Sequence, residues 1–569
     1  MKTAFNYQFS LKRIYLLAVV YWLLITNQVQ GQSLPNLVPI PPQPEPSEPK
    51  VLPPIEEILP ELEKPLEITP KIENTSPTVL VNKFAIVGST VFTPDEFAQV
   101  LKPYTLRRLS FTELLAAQQA IDQLYIESGY ITSGTFLPPQ KLTDGVVTIE
   151  VIEGTVSEIN ITGLNRLNPG YVLSRLQQAT NAPINRDRLL EALQLLQLNP
   201  LIANLAAELT AGSTIGSSIL ELNLQEADPF DLTLSYDNYR APSVGTDRRQ
   251  LRLTHRNVSG LGDRLNLAYL NTDGSNSLND LNYSIPINAR QGTLNFRLSH
   301  TDSQIIEDPF ARFDIESENT NYEFTYRQPL LRKPTQDLAV GFSFSRNDSS
   351  ITLKQEPFQS RGAEPDGETH ISALRFFQEY TTRNASQVFA LRSQFTVGVD
   401  LFGATINDDA IPDSNFLTWR GQAQYLKLLS PNLTLLLRLD LQTSNRPLVP
   451  IEQFSLGGAF SVRGYRQDVL LGDSGTFNSA EIRVTVARIP QWNTSIQLTP
   501  FLDFGKVWNS DGLAFDTSTL VSTGIGLRVQ QGDYFDARID YGIPLVDLDS
   551  EGNSLQENGI YFSLKFKPW

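Results

Sequence analysis

The chain has 569 residues, no cysteine, three histidines and a formal net charge of -16. That length leaves room for two or more domains, and the acidity argues against nucleic acid as a partner, because phosphate binding needs clustered Lys and Arg. Without cysteine, neither a disulfide framework nor a thiolate-held metal can form. His255, His300 and His370 lie far apart, so they read as ordinary strand-border residues and no metal or other cofactor is expected.

At the N-terminus, Lys2, Lys12 and Arg13 accompany an apolar run from Ile14 to Ile25, and Val29-Gln30-Gly31 supplies small residues for cleavage. The pattern predicts a secretory signal peptide over 1–31, since the run is about a dozen residues where a membrane span needs about twenty. No other stretch approaches that length, so the mature chain is either soluble outside the cytoplasm or crosses a membrane as a barrel. Residues 32–77 hold roughly a third of the 36 prolines together with Glu56, Glu57, Glu61, Glu63 and Glu67. Such a segment reads as an extended linker. Ile55, Ile58, Leu59 and Leu62 have helical spacing, but Pro60 limits any helix there to a short one.

Two segments with one order of elements follow, 78–154 and 155–228. The first opens with an extended run, Leu80 to Val87, then a short helix from about Pro94. A longer helix begins at Ser110, where Ser110-Phe111-Thr112-Glu113 forms a capping box. Its predicted apolar face is Phe111, Leu114, Leu115, Ile121, Leu124 and Tyr125, and Gly129 ends it. Strands are predicted over Ile131 to Leu137 and Val146 to Ile152. The second segment repeats this with a strand over Val156 to Ile161, a helix from Pro169 to Gln178, a helix after Asn185, and strands near 201–210 and 218–225. Two β-α-α-β-β units of about 75 residues argue for a repeated α+β module.

From 229 to 569 the pattern is strands alone. Leu433, Leu435, Leu437 and Leu439 alternate with polar or charged positions such as Arg438 and Asp440, and Phe535, Ala537, Ile539 and Tyr541 alternate with Asp536, Arg538 and Asp540. About sixteen segments are predicted, starting near 230, 248, 262, 277, 292, 319, 335, 370, 387, 415, 432, 476, 495, 519, 534 and 558. An even number, charged residues on one face and long loops such as 303–318 and 350–369 fit a transmembrane β-barrel of antiparallel strands better than a soluble sandwich.

Val462-Arg463-Gly464-Tyr465 falls in a long loop, 446–475, and Phe501-Leu502-Asp503-Phe504-Gly505 falls inside a strand. Asp503 shares the parity of Gln497 and Thr499, which points it into the lumen. A loop arginine and a lumenal aspartate can form a bidentate charge-assisted pair that pins the loop inside the pore. No GxSxG elbow, HExxH or Gly-rich phosphate loop occurs, so no enzymatic activity is expected.

In these motifs the chain resembles the haemolysin secretion/activation family (ShlB, FhaC and HecB type), the outer-membrane transporters of two-partner secretion within the Omp85 superfamily. The resemblance spans nearly the whole mature chain. Gly129-Tyr130-Ile131-Thr132-Ser133, Leu137-Pro138-Pro139-Gln140, Asp144-Gly145 and Val151-Ile152-Glu153-Gly154 are similar to that family's first POTRA module. Val462 to Tyr465, after Gly457-Gly458, resembles its sixth-extracellular-loop motif between strands eleven and twelve. Phe501, Asp503 and Gly505 resemble the partner motif on strand thirteen.

The resemblance implies two periplasmic POTRA modules before a sixteen-stranded outer-membrane barrel of a Gram-negative-type bacterium. It implies recognition of a secreted, repeat-rich partner exoprotein through Gly129, Tyr130, Leu137, Pro138, Pro139, Gln140, Asp144 and Gly145, and export through the barrel. Outer-membrane lipid, and the barrel-assembly machinery during biogenesis, are the other expected partners. A barrel-assembly insertase and a passive diffusion porin are the alternatives; the two modules and the Leu-Pro-Pro-Gln motif favour secretion. The chain departs from the family in the proline-rich region where some members carry a plug helix. It also departs in ending Lys567-Pro568-Trp569 after the last strand, which leaves Phe566 or Trp569 as the assembly signal.

Overall fold

The computed structural model describes residues 78–407, 411–548, 552 and 554–568. The signal peptide, the proline-rich segment with its helical patch, and Trp569 lie outside the described residues. No helix among the described residues is long and apolar enough to cross a membrane.

The two α+β units are built alike. In the first, strand Lys83–Val87 runs parallel to Val146–Ile152, which pairs on its other side with Gly134–Phe136. In the second, Thr155–Thr162 runs parallel to Ser217–Glu226, which pairs with Ile202–Ala211. Helices cover one face of each sheet. Helix Phe111–Glu127 carries the predicted capping box, with the Glu113 N–H donating to Ser110 and the Glu113 carboxylate accepting from the Ser110 N–H. It buries Ala117, Ile121 and Tyr125 against Val81, Val147, Ile149 and Val151. Helix Arg186–Gln197 begins after Asn185, as expected; the Asn185 side chain caps it, and the helix buries Leu189, Leu193 and Leu196.

Three local expectations are corrected. The run Leu80 to Val87 is two strands, because at Asn82 the chain leaves one sheet for another. Val79–Val81 pairs with Arg107–Leu109, a strand the sequence reading lacked, while the N–H groups of Asn82 and Lys83 both donate to the Gly145 carbonyl. The strand expected over Ile131 to Leu137 shrinks to Gly134–Phe136, since turn hydrogen bonds from Tyr130 to Tyr125 and from Ser133 to Tyr130 occupy its first half. Phe111 is 53% exposed and lies outside the buried helix stripe.

Sixteen strands of the described residues then close into one antiparallel barrel, from Phe230–Asp237 to Ile560–Phe566. Their starts fall within about four residues of the predicted ones, as alternation alone allows. Two expected loops are shorter because strands Ile315–Lys333 and Gln336–Leu353 keep pairing through polar Ser, Asn and Asp positions. Cross-strand register explains which medium each face meets. Phe296, Phe324, Phe344 and Leu374 form one row across four strands on the outside, and Phe324 is 50% exposed. An unpaired apolar band of this kind suits lipid, whereas a soluble sandwich would bury it. Inward positions are polar or charged, as with Asn295, Arg297, Ser299 and Thr301 on the Thr293–Gln304 strand.

Candidate functional site

Between the eleventh barrel strand, Leu433–Ser444, and the twelfth, Ser474–Ile489, the chain folds back into the lumen. A small hairpin, Phe454–Leu456 with Leu470–Gly472, forms the stem of this loop. Val462 and Leu456 are fully buried with Phe477, Val507 and Leu520. They can pack there because Gly505 has no side chain: a Cβ at that position would lie 2.7 Å from Leu456 and 2.8 Å from Val462.

Arg463 sits at the tip and is 1% exposed. Its Nε donates to Asp503 Oδ2 (2.8 Å), its Nη2 to Asp503 Oδ1 (3.0 Å), and its backbone N–H to Asp503 Oδ2 (3.2 Å). Nη1 donates to Glu481 Oε2 (2.7 Å). The guanidinium lies over the Phe501 ring, its Cζ 3.4 Å from the centroid, where the π face adds a cation–π contact. Around it, Arg483 and Arg538 pair with Glu481, Arg538 pairs with Asp540, and the Ser479 hydroxyl donates to Asp503 (2.6 Å). Three guanidinium groups thus face three carboxylates in a buried, charge-balanced cluster. Balance matters, because an unpaired ion costs several kcal/mol at such a site.

The backbone of the motif is equally constrained. Gly464 has φ +98° and rests on Gly542, where a Cβ would lie 2.5 Å from the Gly464 nitrogen. Its N–H donates to the Tyr561 hydroxyl (3.0 Å), which in turn donates to the Tyr465 carbonyl. The Tyr465 hydroxyl is within 2.9 Å of the carbonyls of Val521 and Val546, and accepts from the Val546 N–H. All seven predicted loop and strand residues therefore meet in one place. Sequence reasoning missed Glu481, Arg538, Gly542 and Tyr561. Glu481, Arg538 and Tyr561 could have been found by asking which inward parity positions on the last five strands are charged or hydroxylated.

The predicted recognition residues of the first module do not form one surface. Gly129, at φ +86°, lies at the joint between modules: its carbonyl accepts from the Arg186 N–H (2.8 Å), and Asn185 Nδ2 donates to the Ser128 carbonyl (3.0 Å). Tyr130 packs edge-on against Phe92 and Tyr125, and Leu137 packs on the same core. After Pro138 and Pro139 end the sheet edge, the Gln140 amide takes the place of another strand, accepting from the Thr148 N–H and donating to the Thr148 carbonyl (2.7 Å each). Asp144 and Gly145 both have positive φ, +55° and +69°, and form the tight turn before Val146–Ile152.

A further pair of residues escaped the site prediction. The Glu153 carboxylate, after the last strand of the first unit, accepts from the N–H groups of Thr90 and Val91. Glu226, ending the last strand of the second, accepts from the N–H groups of Asn165, Arg166 and Leu167. Each carboxylate ties the turn that leads into its unit's first helix. Burial pushes the Glu153 carboxyl up, but the Thr90 hydroxyl and N–H, with Tyr125 and Val91, outweigh it and hold the group below its ordinary value. Burial also pushes Glu226 up, and the three N–H donors hold it below its ordinary value.

The second unit is seated on the barrel rim. The Tyr171 ring covers Gly262, where a Cβ would lie 2.2 Å from it, and Arg175 stacks on Tyr171 at 3.4 Å. The Asn168 N–H donates to the Gly260 carbonyl (2.8 Å), and Lys333 pairs with Glu191 (3.0 Å).

The family model described as haemolysin secretion/activation protein ShlB/FhaC/HecB matches residues 216–529, and that of the ShlB-type POTRA domain matches residues 79–154. The chain is 24% identical over 498 residues to the outer membrane transporter CdiB of Escherichia coli O6:K15:H31 (strain 536 / UPEC), covering 85% of this chain and 82% of that protein. It is 23% identical over 477 residues to the heme/hemopexin transporter protein HuxB of Haemophilus influenzae (strain 86-028NP), covering 79% and 80%. Among solved structures, CdiB from Escherichia coli superposes with a TM-score of 0.69 at 22% identity, covering 89% of this chain and 94% of that one.

Proposed function

The chain belongs to the haemolysin secretion/activation protein ShlB/FhaC/HecB family, and from that premise we propose that Arg463 seated on Asp503 and Glu481 is the lock of an outer-membrane protein exporter. The barrel lies in the outer membrane and the POTRA modules in the periplasm. The modules recognise a partner exoprotein, and the barrel exports it to the cell surface. No nucleotide is available in the periplasm, so folding of the cargo outside supplies the drive.

The observation that carries this reading is the buried, charge-balanced cluster around Arg463, at the tip of a loop that occupies the lumen. A seat of this kind holds a plug in one register, yet it exchanges ion pairs for water when the plug moves, so it suits a pore that opens for cargo. The carboxylates of Asp503, Glu481 and Asp540 act as counter-charges to guanidinium groups, and the chain performs no catalytic step of its own. In the modules, sheet edges offer backbone groups to an extended chain. Gln140 guards one such edge at Thr148, just after Pro138 and Pro139. Outer-membrane lipid surrounds the apolar band, and the barrel-assembly machinery inserts it.

Finding a secreted, repeat-rich protein encoded beside this chain, and following its export, tests the reading. Its appearance in the medium depends on the chain, and is lost with Arg463→Ala while the barrel still inserts. A partner that reaches the medium equally well without this chain overturns the assignment. Loss of unrelated barrels from the outer membrane on deletion favours an assembly insertase instead.

A further inference from the structure

The last barrel strand closes on the first through a short ladder, in which Leu234 to Asp237 pair with Ser563 to Phe566. At the preceding junction the whole of Ile560–Phe566 is paired, with Phe535 to Tyr541. Beyond the short ladder one more backbone bond, from the Asn238 N–H to the Phe562 carbonyl (3.3 Å), continues the seam, and side chains take over from there. Asn238 is fully buried; its Nδ2 donates to the Ile560 carbonyl (2.9 Å) and its Oδ1 accepts from the Phe562 N–H (2.8 Å). Gln556, also fully buried, donates from Nε2 to the carbonyls of Asn238 and Arg240. The Oε1 of the same amide accepts from the backbone N–H of Gln467, four residues past Arg463 in the seated loop (2.8 Å).

One amide therefore grips the end of the first strand with its nitrogen and the loop with its oxygen. Tyr561 adds a second link, since it belongs to the last strand and its hydroxyl bridges Gly464 and Tyr465. We propose that Gln556 is a positioning residue that couples the seat of the Arg463 loop to closure of the barrel seam, so that unseating the loop loosens the join between first and last strands.

The physical reason is the cost of a buried polar atom left without a partner. When the loop leaves, Gln556 Oε1 and the Tyr561 hydroxyl lose their partners. The amide is then no longer held in the rotamer that bonds Asn238 and Arg240, and the seam loses that tie while keeping its short ladder, the bonds of Asn238, the Tyr236–Phe562 ring contact and the Lys567–Asp231 pair. Coupling of this kind is reciprocal: a closed seam favours the seated loop to the same extent.

The absence of native cysteine makes the seam directly measurable. Ser235 and Lys565 are Cα partners across it, within disulfide reach for antiparallel neighbours. In the full-length protein carrying Ser235→Cys and Lys565→Cys, Gln556→Ala and Arg463→Ala should each slow disulfide formation at least threefold. Combined, they should slow it no more than Gln556→Ala alone. Gln556→Glu, which keeps an acceptor for Gln467 but loses the donor to Asn238 and Arg240, should behave as Gln556→Ala and serves if that variant fails to fold. Cross-linking at the original rate with Arg463→Ala overturns the coupling, and so does purely additive slowing in the combined variant. The readout is independent of what the barrel exports, so it can fail while the transporter assignment stands.

Discussion

A single guanidinium, that of Arg463, meets two carboxylates and an aromatic face inside a membrane barrel. Arg463→Ala takes from Asp503 the guanidinium that pairs with it, while Glu481 keeps Arg483 and Arg538; breaking a buried pair in this way costs about 3–5 kcal/mol. The loop should absorb that cost by leaving its seat, because the ladders between the other neighbouring strands pair backbone to backbone without it. We expect export to fall at least tenfold while the barrel keeps its heat-resistant electrophoretic mobility; full export by Arg463→Ala would remove the lock from consideration. Gly542→Val separates geometry from charge. Its side chain would collide with the Gly464 backbone while every charged residue is kept, so it should reproduce the export defect. Normal export with this variant would mean that the seated geometry is not what matters.

Within the α+β units, one glutamate per repeat does the same work at the same place. Glu153 and Glu226 tie the turns at 90–91 and 165–167 to the end of the last strand of each sheet. Both are held below the ordinary carboxylate value in the fold and return to about 4.3 in the unfolded chain. Folding therefore favours the ionised forms. Their contribution is complete above the unfolded value and drains away as pH falls through the folded values. Hydrogen exchange at these turns should accelerate in each unit as pH is lowered from about 5 to 3, beyond the chemical exchange rate. Glu153→Gln should flatten that response in the first unit alone and cost roughly 1–3 kcal/mol there. An unchanged pH response in Glu153→Gln would show that another group governs it.

Across the whole molecule, the second module reaches the barrel through the Tyr171 ring on Gly262, the Asn168 hydrogen bond to Gly260 and the Glu191–Lys333 pair. The exposed ion pair is worth under about 1 kcal/mol, so the ring contact should dominate. Gly262→Leu should release the module from the rim, seen as an extended and broadened conformation in small-angle scattering, with export reduced and the barrel intact. A scattering profile identical to that of the unaltered protein would rule out this docking as the main restraint. Deletion of residues 80–153 is a complementary test. Planar-bilayer conductance should persist while binding of a partner's N-terminal fragment is lost, and undiminished binding would place recognition elsewhere.

Much of this architecture is legible in local sequence, because local patterns have local causes. The caps at Ser110 and Asn185 need only residues a turn away. Strand starts and the inward parity of Asp503 follow from a period of two, and the loop arginine and strand aspartate carry opposite charges that advertise their pairing. What alternation cannot say is which inward residue on one strand faces which on another. Glu481, Arg538, Gly542 and Tyr561 surround Arg463 only because the barrel curves strands twelve to sixteen around the returning loop. The break at Asn82 is likewise decided by a turn at Gly145, more than sixty residues away. The seam between Phe230–Asp237 and Ile560–Phe566, with Gln556 reaching both a strand end and the loop, joins residues more than 300 positions apart. Hydrophobic pattern thus determined which residues form strands and which face of the barrel is apolar. Closure of the barrel decided the register, the charge partners and the seat of the loop, since those depend on contacts that exist only once the first strand has met the last.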